Sequence, residues 1–223
     1  MNDREVADYL LANPDFFVEH AELLATLRLG NPHGKAAVSL QERQMEMLRD
    51  KNKTLERRLS ELVRYGHEND SIASKFVRWT TRVIAERDPH ALARTIAQNL
   101  RDVFDVPQAA LRVWDVADAY SQSDFARDTG EEVRLFANSL ATPYCGANTG
   151  FAAAHWLDTA EGASESVALV ALRAPDSGAN ADAFGLLVMG SPDPRRFHDG
   201  MATDFLTQIG ALASAALTRV LPH

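Results

Sequence analysis

Between Val38 and Leu62 the residues Val38, Gln41, Met45, Leu48, Asn52, Leu55, Leu59 and Leu62 step alternately by three and four. That spacing holds one seam of an α-helix toward a partner helix and is incompatible with a strand, whose side chains alternate with period two. Leu48, Leu55 and Leu62 fill successive d positions. Asn52 takes an a position, where it sacrifices packing but pairs across a parallel dimer and fixes the register. Lys51 at g and Glu56 at the following e form an attractive interchain pair in the same frame. The expectation is a long helix over residues 38–86, started by a capping box at Ser39 and Glu42. It forms a homodimeric coiled coil through Met45, Leu48, Asn52, Leu55, Leu59 and Leu62. The alternative is one amphipathic helix lying on its own domain, because about three heptads is close to the minimum for a coiled coil.

Residues 1–37 read as short helices followed by a linker. Val6, Tyr9 and Leu10 share a helical face, and Asn13-Pro14 looks like an N-cap followed by proline at the first helical position. Phe16, Phe17, Leu23, Leu24 and Leu27 carry more apolar surface than a small helix buries alone. Gly30, Pro32 and Gly34 mark residues 28–37 as the linker. Beyond the seam, Gly66 and the polar run 67–70 loosen the heptad phase, and Ile72, Phe76, Trp79 and Val83 define a new stripe.

Residues 87–223 read as an α+β domain. Asp88-Pro89 is a cap-plus-proline start for a helix whose buried face is Leu92, Ile96, Leu100, Val103 and Phe104. Residues 109–114 alternate like a strand, and the apolar runs 166–173 and 183–189 flank a Pro/Gly/Asn-rich connection, the pattern of an antiparallel hairpin. Residues 116–165 are the least legible, with a strand or a helix at 133–140. The chain closes with an amphipathic helix over 204–221.

The formal charge of -8 in 223 residues opposes attraction to nucleic acid or anionic membrane. The basic residues of the long helix are interspersed with acids, unlike a DNA-reading basic region. A lone cysteine, Cys145, builds neither an intrachain disulfide nor a thiolate cluster, which fits a reducing cytoplasm. The acidic start Met1-Asn2-Asp3-Arg4-Glu5 does not read as a secretory signal, and the apolar stretches at 184–189 and 209–217 are too short or interrupted to span a bilayer. No membrane association is expected.

The order from the helix at Pro89 through Phe184-Gly185-Leu186-Leu187-Val188-Met189-Gly190-Ser191, Arg196-Phe197 and a closing helix resembles the GAF domain. The N-terminal half resembles a bacterial family, domain of unknown function 484. It does so in Val6-Ala7-Asp8-Tyr9-Leu10, Asn13-Pro14-Asp15-Phe16-Phe17, Val38-Ser39-Leu40-Gln41-Glu42-Arg43-Gln44 and Leu48-Arg49. With Tyr144-Cys145-Gly146 and Thr203-Asp204-Phe205-Leu206, the resemblance runs over nearly the whole chain. It implies a GAF-like fold in a cytosolic bacterial protein and implies no activity. The family pocket, over the sheet beneath the middle loops, points to Arg112, Trp114, Tyr144, Cys145, Gly146, His155 and Trp156 as ligand contacts, although each also reads as core or surface filler. The Asn-Lys-Phe-Asp-Glu signature of cyclic-nucleotide-binding GAF domains fails at Arg195-Arg196-Phe197-His198-Asp199.

Other chemistry is poorly supported. Thiol exchange of the kind some GAF-fold enzymes use needs a resolving cysteine that this chain lacks, and Cys145 reads as a small packed residue beside Gly146. The seven histidines show no i, i+4 pair for a metal, and no phosphate-cradling glycine loop or Gly-x-Ser-x-Gly occurs. No catalytic residue, metal ligand or cofactor is assigned. The expectation is therefore a non-enzymatic, homodimeric sensor or adaptor that binds a small molecule or a protein partner. The alternatives are a ligand-free interaction scaffold and, behind it, a small-molecule enzyme using Cys145.

Overall fold

Asn2 starts the first helix with a reciprocal box: its Oδ1 accepts from the Glu5 N–H at 2.8 Å, and the Glu5 carboxylate accepts from the Asn2 N–H at 2.9 Å. The computed structural model describes residues 2–26, 28–30, 37–158, 160, 162–175, 181–201 and 203–222. The chain divides into two compact units, residues 1–68 and 69–223, and the division falls inside the longest helix.

The first unit holds α1 (Asp3–Ala12), α2 (Phe16–Glu19), α3 (Ala21–Thr26), β1 (Arg28–Gly30), β2 (Ala37–Ser39) and the start of α4 (Leu40–Ala85). Two sequence expectations are corrected here. Asn13 closes α1 instead of opening the next helix, with its side-chain amide and its backbone N–H both donating to the Tyr9 carbonyl. The 28–37 linker contributes β1, which pairs antiparallel with β2 in the register Arg28↔Ser39, Leu29↔Val38, Gly30↔Ala37. The Ser39 and Glu42 side chains of the expected capping box lie outside the described residues, as do residues 31–36. No residue of α1 or α2 is buried, and Phe16 makes edge contacts with Tyr9, Phe17 and His20. Helix α4 runs unbroken through Gly66 and the polar residues 67–70.

The second unit continues with α5 (Pro89–Phe104), β3 (Gln108–Val113), α6 (Gly130–Ser139), β4 (Tyr144–Ala147), β5 (Ser166–Arg173), β6 (Ala183–Ser191) and α7 (Asp204–Leu217). The Asp88 carboxylate caps α5 by accepting from the His90 N–H at 2.9 Å, with Pro89 in the first turn as its fixed φ favours. Asp105 ends the helix in the left-handed region, φ 55°, and the Arg196 guanidinium donates to the Phe104 carbonyl at 2.8 Å.

The four strands form one antiparallel sheet in the order β3-β6-β5-β4. All nine residues of β6 are buried, because helices and loops cover both faces of this central strand. Continuous apolar sequence is what such a strand requires. On one face Leu111, Val113, Ala168, Val170, Leu187 and Met189 pack with Ile96 and Leu100 of α5, Ile209 and Ala213 of α7, and Trp79 and Val83 of α4. On the other, Trp114, Val167, Leu169, Leu186 and Val188 pack with Val133 and Ala137 of α6 and with Ala153 and Leu157. The α+β architecture read from the sequence, an antiparallel sheet flanked by helices behind a helical arm, is the one observed.

Two polar side chains tie loops to this core. Arg173 reaches from β5 to donate to the carbonyls of Ala181 at 2.7 Å, Ala137 at 3.1 Å and Asn138 at 3.2 Å, which joins the hairpin to the end of α6. Gln108, nearly inaccessible, donates to the Gly162 carbonyl at 2.7 Å and accepts from the Ser164 hydroxyl. No described helix is long and apolar enough to cross a membrane.

Candidate functional site

β3 is an edge strand, so the side of it away from β6 is open to whatever the next segment supplies. Its alternation sends Leu111 and Val113 into the α5/α7 face and leaves Ala110 and Arg112 toward the other. Asp115 then takes a left-handed φ of 55° and turns the chain out of the strand. The segment that follows folds back over the edge in two short 3₁₀ turns. It is pinned by the Ala117 N–H donating to the Val220 carbonyl, by Tyr120 edge-on to His90, and by buried Phe125.

The result is a groove of ≈ 580 Å³ along the outer edge of β3. Its walls are His90, Ala93, Arg94 and Ala97 of α5, Ala110, Leu111 and Arg112 of β3, Ala119, Gln122, Ser123, Asp124, Phe125 and Arg127 of the returning segment, and Trp156. Arg112 lies over the Trp156 ring, its guanidinium carbon 5.2 Å from the centroid. Asp124 accepts from Arg127 at 2.6 Å and has Arg94 at 3.8 Å. The lining therefore carries three guanidinium groups against a single carboxylate. Burial, and then the neighbouring Arg127 charge, push the Arg112 pKa down. A guanidinium nonetheless stays protonated at any ordinary pH.

Of the seven candidate contacts read from the sequence, the groove brings together Arg112 and Trp156. Trp114 is buried and donates its indole N–H to the Ala183 carbonyl at 2.7 Å, with Arg134 over its ring at 5.7 Å. His155 is exposed on the 3₁₀ turn beside Trp156. Tyr144, Cys145 and Gly146 sit on β4, at the opposite edge of the sheet. Tyr144 folds back to donate to the Ala147 carbonyl at 3.2 Å, and a Cβ at Gly146 would meet its hydroxyl at 2.6 Å, so a larger residue there would displace the Tyr144 ring. Cys145 is buried in the α5/α7 core, where desolvation raises its thiol pKa. His90, Arg94, Asp124, Phe125 and Arg127 were not singled out from the sequence. The i, i+3 spacing of Asp124 and Arg127 was the one local signal that they act together.

An α+β domain, a helix-flanked antiparallel sheet preceded by a helical arm and carrying a basic groove at one sheet edge, is the class of protein that the fold and this site define. The chain matches the family described as protein of unknown function DUF484 over residues 1–221, and it belongs to that family. It is 25% identical over 225 residues to "Uncharacterized protein YigA" of Salmonella typhimurium, an alignment covering 98% of this chain and 92% of that one. The Escherichia coli protein of the same description is also 25% identical with the same coverage. Among solved structures it is similar to the GAF domain of a putative sensor histidine kinase from Pseudomonas syringae pv. tomato, at TM-score 0.44 and 15% identity over 70% of this chain and 91% of that one. It is also similar to free methionine-R-sulfoxide reductase from Neisseria meningitidis in complex with its substrate, at TM-score 0.45 and 16% identity over 66% and 88%.

Proposed function

We propose that the protein is a non-enzymatic, homodimeric sensor or adaptor of the cytoplasm: the GAF-like domain takes a small molecule in the β3-edge groove, and the α4 seam couples two copies. The observation that carries this reading is the seam itself. Leu48, Leu55, Leu59 and Leu62 are 60%, 60%, 62% and 66% exposed in the single chain, in line with Asn52. A continuous apolar stripe of this kind marks an interaction surface, and heptad spacing selects a second helix as its occupant. The non-enzymatic part rests on Cys145, whose buried thiol and raised pKa are the reverse of an activated nucleophile.

One observation favours a second reading, a ligand-free interaction scaffold. On the sheet face beneath α6, Phe151 packs against Phe136 at 5.3 Å and edge-on to Tyr144 at 5.0 Å, and the space left beside them is only ≈ 160 Å³. That is well below the roughly 300–1,000 Å³ of ordinary ligand sites. A native mass spectrum of the gently purified full chain separates the readings. A dimer with added mass supports the sensor, a dimer of bare chains supports the scaffold, and a monomer at micromolar concentration overturns both.

A further inference from the structure

The sheet carries two half-buried arginines, and they differ in one respect. Burial lowers the pKa of both. Arg173 spends its donors on three backbone carbonyls, which accounts for its charge being tolerated there. Among the described residues the Arg112 guanidinium donates no hydrogen bond and forms no ion pair within 4 Å; it lies over the face of Trp156 and feels the Asp124 charge only at longer range. A partly desolvated guanidinium whose planar fork of donors meets no protein oxygen is available to take an anion bidentately. Nearby Asp124 does not serve, because its two oxygens face Arg127 and Arg94. Charge in the groove is thus in excess on the positive side, in a chain whose formal net charge is -8. The groove lining also includes the apolar residues Ala93, Ala97 and Phe125.

We infer that the β3-edge groove is a binding site for a small organic oxyanion, a carboxylate or a phosphate monoester with a short apolar body. Its charged head is held by Arg112 and Arg127, and its body lies against Ala93, Ala97 and Phe125. This rests on the groove being the ligand site of the proposed sensor. Occupation draws the Arg112 guanidinium toward the anion and changes the surroundings of Trp156. The other two tryptophans, Trp79 and Trp114, are buried and give a constant background.

The test is a tryptophan-fluorescence titration of the full chain, excited at the red edge of indole absorption, with pentanoate, n-butyl phosphate and, as neutral control, pentanamide. The expected result is a saturable change with at least one oxyanion, the better of the two naming the head group, and none with pentanamide. Arg112→Gln weakens binding roughly 10- to 100-fold, the value of one charge-assisted hydrogen-bonded contact. Arg127→Gln, at an exposed position outside the core, weakens it several-fold, and Arg134→Gln, whose side chain lies over Trp114, leaves it unchanged. No saturable response to either oxyanion, or affinity unchanged from the parent in Arg112→Gln protein of native circular dichroism, overturns the inference. A neutral compound retained in the native mass spectrum, together with silent oxyanion titrations, overturns this inference and leaves the sensor reading standing.

Discussion

The two halves of α4 obey the same spacing rule and meet opposite fates. Phe76, Trp79 and Val83 step by three and four just as Leu48, Asn52, Leu55, Leu59 and Leu62 do. Trp79 and Val83 are fully buried, with the Trp79 indole N–H donating to the Ile96 carbonyl at 3.3 Å and Phe76 edge-on to Phe205 at 5.4 Å. The leucines of the first half stay well over half exposed. Periodicity therefore identifies which face of a helix is apolar, but it does not say whose surface covers it. For the second half the chain supplies the cover, since α5 and α7 fold onto it. The first half keeps its apolar stripe uncovered, and in the proposed homodimer a second copy of the same seam covers it.

The comparison predicts unequal costs. The largest belongs to Trp79→Ala, which leaves a cavity under α5 and should destabilise the second unit by about 3–5 kcal/mol in denaturant unfolding. A loss below about 1 kcal/mol would show that the buried half is no better packed than the exposed one. Next comes Leu55→Asp, which places a charge in the seam. Sedimentation equilibrium should show dimer affinity falling roughly 100-fold or more, while the unfolding of residues 69–223 moves by less than about 0.5 kcal/mol. Unaltered sedimentation would break the comparison, because the exposed face would then have no helical partner. Smaller again is Asn52→Leu, expected to strengthen association while broadening the distribution of oligomers in sedimentation velocity, as removal of a register-setting asparagine does. A weakened but homogeneous dimer would mean that Asn52 bonds to something other than its twin.

Local pattern made some parts of the molecule legible and not others, and the boundary is physical. The long helix, the Asp88-Pro89 start, the 166–191 hairpin and the closing helix each announce themselves within one window, through spacing, capping or an apolar run. Strands β1 and β2 are three residues long, so their pairing depends on partners rather than on any period of their own. The 133–139 stretch is helical, with Leu140 as its C-cap, and the spacing of buried Val133 and Ala137, with Phe136 half-buried between them, satisfies a helix better than a strand. The site was half legible for a related reason. Arg112 and Tyr144-Cys145-Gly146 look adjacent in any scheme that lacks the strand order, and the order β3-β6-β5-β4 separates them by the width of the sheet. Arg127 and Asp124 enter the groove only because the chain turns back at Asp115, a left-handed residue with no glycine to signal it.

The smallest effect tests whether surface charge contributes anything to fixing the buried half of α4. Lys75 donates to the Asp105 carboxylate at 2.7 Å, joining α4 to the left-handed end of α5. This hydrogen bond and then the Lys75 charge lower the Asp105 pKa. With the folded value below the unfolded one, the pair contributes stability above the ordinary carboxylate pKa and loses it as the pH falls through the lowered folded value. Asp105 is open to water, so salt screens the pair and the contribution is slight. Melting temperatures of the parent and Lys75→Met should therefore differ slightly at neutral pH, and the gap should close both in strong acid and in molar salt. A gap that persists in acid and in salt would assign the effect to the Lys75 methylenes packing on the domain, which would place even this contact among the apolar ones that bury the second half of the helix.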